Sequence, residues 1–219
     1  MELYIPPEVS GLRAHYGSLL SDFHQFPTVA DHLEALAQRL HEGLQAGVPV
    51  LWQEVNNYHP EFLGVSPEEL AARSWSLDDA RQVIASEFGY ENWAAVKTLG
   101  LAPYMLPFEL AIAHLLQGEL EALTKQLQVF PALTTARSSY GHKATLLHYA
   151  AANGVEMWRQ QVPHNLPEGV RLLVKAGADP TAAMWVYGDH HTPEALAATS
   201  AHPKQAGLLP ELLQALQGH

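Results

Sequence analysis

The chain has 219 residues, 47% of them hydrophobic, with 12 basic residues against 23 acidic and no cysteine. That composition excludes global disorder, disulfides and thiolate chemistry, and the net charge of −11 disfavours nucleic-acid binding. No apolar run approaches the ~20 residues of a membrane span. The opening Met1-Glu2-Leu3-Tyr4-Ile5-Pro6-Pro7 lacks the basic and apolar regions of a signal peptide. A cytoplasmic protein with no membrane contact is expected.

Residues 1–27 show no clear period, and Asp22 to Pro27 read as irregular chain or a short helix. From Asp31 onward, Leu33, Leu36, Leu40 and Leu44 recur at three- and four-residue steps, which predicts an amphipathic helix ending near Gly43 and Gly47. Pro49 opens a second helix that carries Leu51, Trp52 and Val55 towards His59-Pro60. Ser66-Pro67-Glu68-Glu69 combines a capping serine, a proline at the first helical position and a glutamate that closes a capping box. Ser76-Leu77-Asp78-Asp79 opens the next helix, with Val83, Ile84 and Phe88 as its stripe and Gly89 as its stop. Glu91 to Leu99 forms one more short helix. No segment reads as a long alternating strand, so the fold class is all-α.

Internal repetition is visible in one pair of landmarks. Gly47 and Pro60 have the same spacing as Gly118 and Pro131, and the two glycines lie 71 residues apart. That offset is about twice the mid-thirties period of helical-hairpin repeats.

The C-terminal third is more specific. Thr145-Leu146-Leu147-His148-Tyr149-Ala150-Ala151-Ala152-Asn153-Gly154 resembles the opening of an ankyrin repeat. Val170-Arg171-Leu172-Leu173-Val174-Lys175-Ala176-Gly177-Ala178-Asp179-Pro180 resembles its second helix and closing Gly-Ala-Asp. Thr192-Pro193-Glu194-Ala195-Leu196-Ala197-Ala198 resembles the next opening. On these motifs the chain resembles the bacterial ankyrin-repeat proteins. Asp79 to Trp93 is similar to the helical lead-in of some of them. The resemblance implies a short ankyrin-like helical-hairpin stack over 101–219, with repeats near 107–136, 142–181 and 188–217. It is capped by an N-terminal helical region over 1–100 that carries worn traces of the same repeat. In that register Leu172 and Leu173 belong to the core. Leu146 departs from the pattern, where proline is usual. Thr145 and Thr192 lie 47 residues apart, against a usual period of about 33. The extra residues enlarge the loops 155–167 and 199–207, and insertions in repeat arrays collect on one face that is often functional.

The resemblance makes His148 a structural residue whose ring bonds neighbouring backbone. His142 together with Asp189-His190-His191 is the one combination suggestive of metal, but no fixed-face ligand spacing accompanies it, and no metal or cofactor is expected. Tyr140, His142, Trp185, Tyr187 and His190 sit just before the two repeat openings, where ankyrin proteins project finger turns. Aromatic residues in exposed turns are enriched at binding hot spots. The competing reading folds Trp185 and Tyr187 back as a lid. Trp158 and Arg159 join the candidates from the first enlarged loop, which equally could shield the edge of the stack.

Glu68-Glu69 and Asp78-Asp79 read as first-turn charges that complement helix dipoles, not as catalytic pairs. No nucleophile elbow, phosphate loop or dinucleotide fingerprint is present, and no catalytic residue is named. The expected function is therefore non-catalytic binding of another protein, neutral or basic, through the finger turns and the concave face. The alternative is a small-molecule-binding or metal-dependent hydrolase centred on the histidine-rich turns.

Overall fold

The computed structural model describes residues 3–218. Among them the chain is mostly helical, with a few short strands, as the all-α expectation requires. The described residues form two compact units. One comprises Pro7–Tyr104 with Ser139–Gly141; the other takes the residues before Pro7, Met105–Ser138, and those from His142 onward.

A short strand, β1 (Leu3–Tyr4), precedes the helices of the first unit. These are α1 (Pro7–Tyr16), α2 (Val29–Gln45), α3 (Leu51–Tyr58), α4 (Pro67–Ala71), α5 (Leu77–Glu87) and α6 (Trp93–Leu99). α2 packs on α5 and buries Leu33, Leu36, Leu40 and Leu44. Its cap is Thr28, and Asp31 closes a capping box from the third helical position. The helix thus starts earlier than the leucine period alone indicates. Ser66 with Glu69 and Ser76 with Asp79 form the two expected boxes, so these acids satisfy backbone donors at helix starts. α1 was not expected. Its buried stripe is only Val9, Leu12 and Tyr16, and Gly11 interrupts it because a β-carbon there would come within 2.8 Å of Val50.

The second unit is built from helix pairs. α7 (Leu106–Gln117) pairs with α8 (Leu120–Val129), and α9 (Leu146–Ala150) with α10 (Leu166–Lys175) after the strand β2 (Val162–Pro163). Strands β3 (Met184–Val186) and β4 (Asp189–His191) follow, then α11 (Pro193–Thr199), α12 (Ala201–Gln205) and α13 (Leu209–Leu216). α11 pairs with α13, the first helices touch in the order α7, α9, α11, and α10 packs on α13. Gly118 ends α7 in the left-handed conformation, with φ of 73°, which only glycine adopts without strain. β1 joins this unit by pairing antiparallel with β2, Leu3 opposite Pro163 and Tyr4 opposite Val162. Among the described residues, no helix is long and apolar enough to cross a membrane.

The core of this unit runs through Leu115, Leu123, Leu147, Val170, Leu173, Leu196 and Leu212. Leu172 is only partly buried, against the expectation that it shares the core with Leu173. Leu173→Ala is therefore expected to cost about 2–5 kcal/mol, through lost burial and the cavity left behind. Leu172→Ala, whose site stays open to solvent, should cost about 1 kcal/mol. Urea melts of the two variants side by side check the difference.

Candidate functional site

β3 and β4 form a hairpin in which Trp185 lies opposite His190 and Val186 opposite Asp189. The two turn residues, Tyr187 and Gly188, have φ of 56° and 79°. Two positive φ angles are what a two-residue turn needs to match the twist of its strands. Left-handed tyrosine costs about 1 kcal/mol, and here the side chain is tied down: its hydroxyl donates to Asn153 Oδ1 at 2.8 Å. Asn153 Nδ2 in turn donates to the Leu196 carbonyl at 3.1 Å. At the base, Arg137 Nη1 donates to the carbonyls of Ala183 and Lys143 at 2.8 and 2.9 Å. Met184 is buried beneath the hairpin. Held at base and tip, the hairpin presents a Trp185 side chain that is 51% exposed. The indole meets the exposed His190 ring edge-on at 5.1 Å. Tyr187 is also exposed. These three expected residues therefore share one rigid projection, a β-hairpin where a plain turn was expected.

Tyr140, His142 and Arg159 do not belong to that surface. All three are buried, so their assignment to partner contact is corrected. Tyr140 lies in the core of the first unit, with ring centroids 4.6 Å from Phe88 and 5.7 Å from Tyr104. The adjacent Gly141 backbone runs so close to the Gly89 carbonyl that a β-carbon would not fit. His142 donates from Nε2 to Glu156 Oε1 at 3.2 Å, while its Nδ1 accepts the Ala144 N–H at 3.0 Å. Arg159 donates to Glu109 Oε2 at 2.5 Å, lies 3.7 Å from Glu156 Oε2, and sits over the rings of Trp158 and Tyr149. The Tyr149 hydroxyl donates to Glu156 Oε1 at 3.2 Å. Burial acts to raise the Glu156 pKa, but Arg159 and the His142 bond outweigh it and hold this carboxyl below its usual value.

This closed network anchors the first enlarged loop. Gln161 Nε2 donates to the Leu116 carbonyl at 2.7 Å and Asn165 Nδ2 to the Gly118 carbonyl at 2.9 Å. Carbonyls left over at the end of α7 thus find partners in the loop. Trp158 is half-buried over Arg159. The loop is part of the packing of the stack. One signal for it stood in the sequence: Glu109 interrupts the otherwise apolar Leu106-Pro107-Phe108-Glu109-Leu110-Ala111-Ile112, and a buried acid needs a cation.

His148 behaves as the resemblance implies. Its Nδ1 accepts the Thr145 backbone N–H at 3.1 Å and contacts the Thr145 hydroxyl, and its Nε2 donates to the His191 carbonyl at 3.2 Å. Burial pushes its pKa down to about 4. Family models, curated proteins and solved structures yield no match to this chain. The site must therefore be read from its own geometry.

That geometry separates the histidines. His142 faces Glu156 in the core, Asp189 caps the His190 N–H at 2.7 Å, and His191 lends its carbonyl to His148. Among the described residues, no three His, Asp or Glu side chains converge to hold a metal ion.

Proposed function

We propose that the chain is a non-catalytic protein-interaction module of the ankyrin-like repeat kind, binding through the β3–β4 hairpin and the neighbouring face of the first helices. One observation carries this reading: a large, half-exposed indole stands on a hairpin fixed at both ends. Tryptophan at such a position contributes a large contact area and loses little side-chain entropy on docking. Arg137 and Asn153 hold the hairpin at its base and at its tip and tie it to the neighbouring chain at Lys143 and Leu196. Leu106 and Leu110 on α7, in the same unit, are exposed apolar side chains. The partner is a neutral or basic protein, since the chain carries a net charge of −11 and like charge would slow encounter.

The test is capture with the full chain. A Trp185→Ala, His190→Ala variant should keep the wild-type melting curve, because surface truncations usually change stability by less than about 0.5 kcal/mol. It should lose the partner, with affinity reduced roughly thirtyfold for an anchor of about 2 kcal/mol. The same protein captured with equal affinity by both forms would move the contact off the hairpin.

A further inference from the structure

The first unit holds a small cavity of its own, about 350 Å³ in volume, between the ends of α2 and α4. Leu44 on α2, Trp52 on α3 and Trp75 ahead of α5 give it an apolar wall. Ala71 at the end of α4, then Arg73 and Ser74, complete the border used below. The wall is rigid. Trp75 Nε1 donates to the Leu70 carbonyl at 3.1 Å, and its ring meets Phe62 edge-on at 5.2 Å. The Trp52 ring lies 6.2 Å away from the Trp75 ring, tilted by 34°. Both indoles are buried residues, so the surface they offer is fixed by the core around them.

Arg73 gives the cavity its chemical character. The guanidinium carbon lies over the Phe62 ring, 4.4 Å from its centroid, which holds a side chain that is otherwise exposed. Arg39, Arg81 and Arg159 each have a carboxylate oxygen at 3.6 Å or closer. Among the described residues Arg73 has no such partner, although the chain carries 23 acidic residues. A ring face attracts the cation without using its N–H groups, so the guanidinium fork stays available to an acceptor. Ser74, the next residue, is also exposed and adds a hydroxyl donor.

We propose that this cavity binds a small aromatic carboxylate, with its ring against Trp52 and Trp75 and its carboxylate on Arg73 and Ser74. Three features select that ligand. The volume lies at the lower end of the range for small-molecule sites, which suits a compound of one or two rings. Rigid indoles favour a flat ring over a flexible chain, because aromatic pairs gain energy beyond the area they bury. A guanidinium fork matches a carboxylate through paired N–H bonds, and one cation in a chain of net charge −11 suits a monoanion better than a doubly charged phosphate. The site shares no residue with the β3–β4 hairpin, so neither reading depends on the other.

Isothermal titration calorimetry on the full chain tests this with 2-naphthoate, its neutral isostere 2-naphthamide, and decanoate. Naphthoate should bind with a dissociation constant of about 100 µM or below. The amide and decanoate should each bind about tenfold more weakly. Arg73→Gln should weaken naphthoate about tenfold and leave the amide unchanged, which erases the preference for the acid. Ala71→Leu places a good helix former at an exposed position and fills the cavity, so it should abolish naphthoate binding. Circular dichroism melts confirm that both variants are folded. Trp185→Ala should bind naphthoate as wild type does. The proposal is overturned if acid and amide bind wild type equally, if decanoate binds as well as naphthoate, or if neither aromatic compound binds below about 1 mM. It is equally overturned if Arg73→Gln keeps the preference for the acid, if Ala71→Leu binds like wild type, or if Trp185→Ala abolishes binding.

Discussion

Arg159→Met is expected to destabilise the second unit by about 3–5 kcal/mol, the range for removing one partner of a buried ion pair. The cost comes less from the lost attraction than from what is left behind. Glu109 and Glu156 are both buried, with Glu109 Oε2 only 2.5 Å from the guanidinium in the intact protein. Without Arg159, Glu109 loses the cation it is hydrogen-bonded to and is driven to bind a proton, while Glu156 keeps its bonds from His142 and the Tyr149 hydroxyl. Methionine preserves much of the apolar stem, so the variant isolates the charge. Adding Glu109→Leu should restore part of the stability, because the orphaned carboxyl is then gone. Urea denaturation of the single and double variants measures both steps. If Arg159→Met melts with wild type, the network does not hold the loop.

Two buried groups, one in each unit, should give stability opposite pH dependences. In the first, the Tyr16 hydroxyl donates to Glu54 Oε1 at 2.7 Å, and Glu54 also hydrogen-bonds Glu87. Two carboxyl groups in hydrogen-bond contact need a proton between them. Burial raises the Glu54 pKa to about 7 from an ordinary 4.5. The folded form therefore holds a proton that the unfolded chain has already released, and stability falls as pH rises from 4.5 to 7. The loss amounts to roughly 3 kcal/mol above that window. Glu54→Gln should recover most of it at pH ~8 and change little at pH ~5.

In the second unit His148 works the other way. Its pKa of about 4 lies below the ordinary 6.5, so the unfolded chain takes up the proton first. Stability is then lost as pH falls from 6.5 to 4. Melts across pH ~4 to ~8 with wild type and Glu54→Gln would expose both slopes; a variant whose alkaline arm matches wild type would remove Glu54 as the cause.

Much of the helical frame was legible because its signals are local. The boxes at Ser66 and Ser76 depend on residues three positions apart, and the leucine stripe of α2 on one helix face. α1 escaped because three buried residues around a glycine make too weak a period. The hairpin escaped because each strand has only three residues, too few for alternation to register. The site was half legible for a related reason. Trp185, Tyr187 and His190 are exposed as their position before a repeat opening implied. His142 and Arg159 look alike in sequence, polar residues near turns, but their partners Glu156 and Glu109 lie 14 and 50 residues away. Only tertiary pairing shows that these charges go inside. The same holds for Glu54 and Glu87, which no spacing rule joins.

The pairing of β1 with β2 fixes an order of events as the chain is made. Leu3 and Tyr4 leave the ribosome long before Val162 and Pro163 are synthesised, and Tyr4 must also reach Gln205, near the far end of the chain. Between them, nearly all of the first unit has been produced and can condense on its own local contacts. The early strand must stay unpaired through all of this. The seam that joins it to the helix pairs can close only once Val162 and Pro163 have been made, so the second unit is completed after the chain of the first has been produced between its parts.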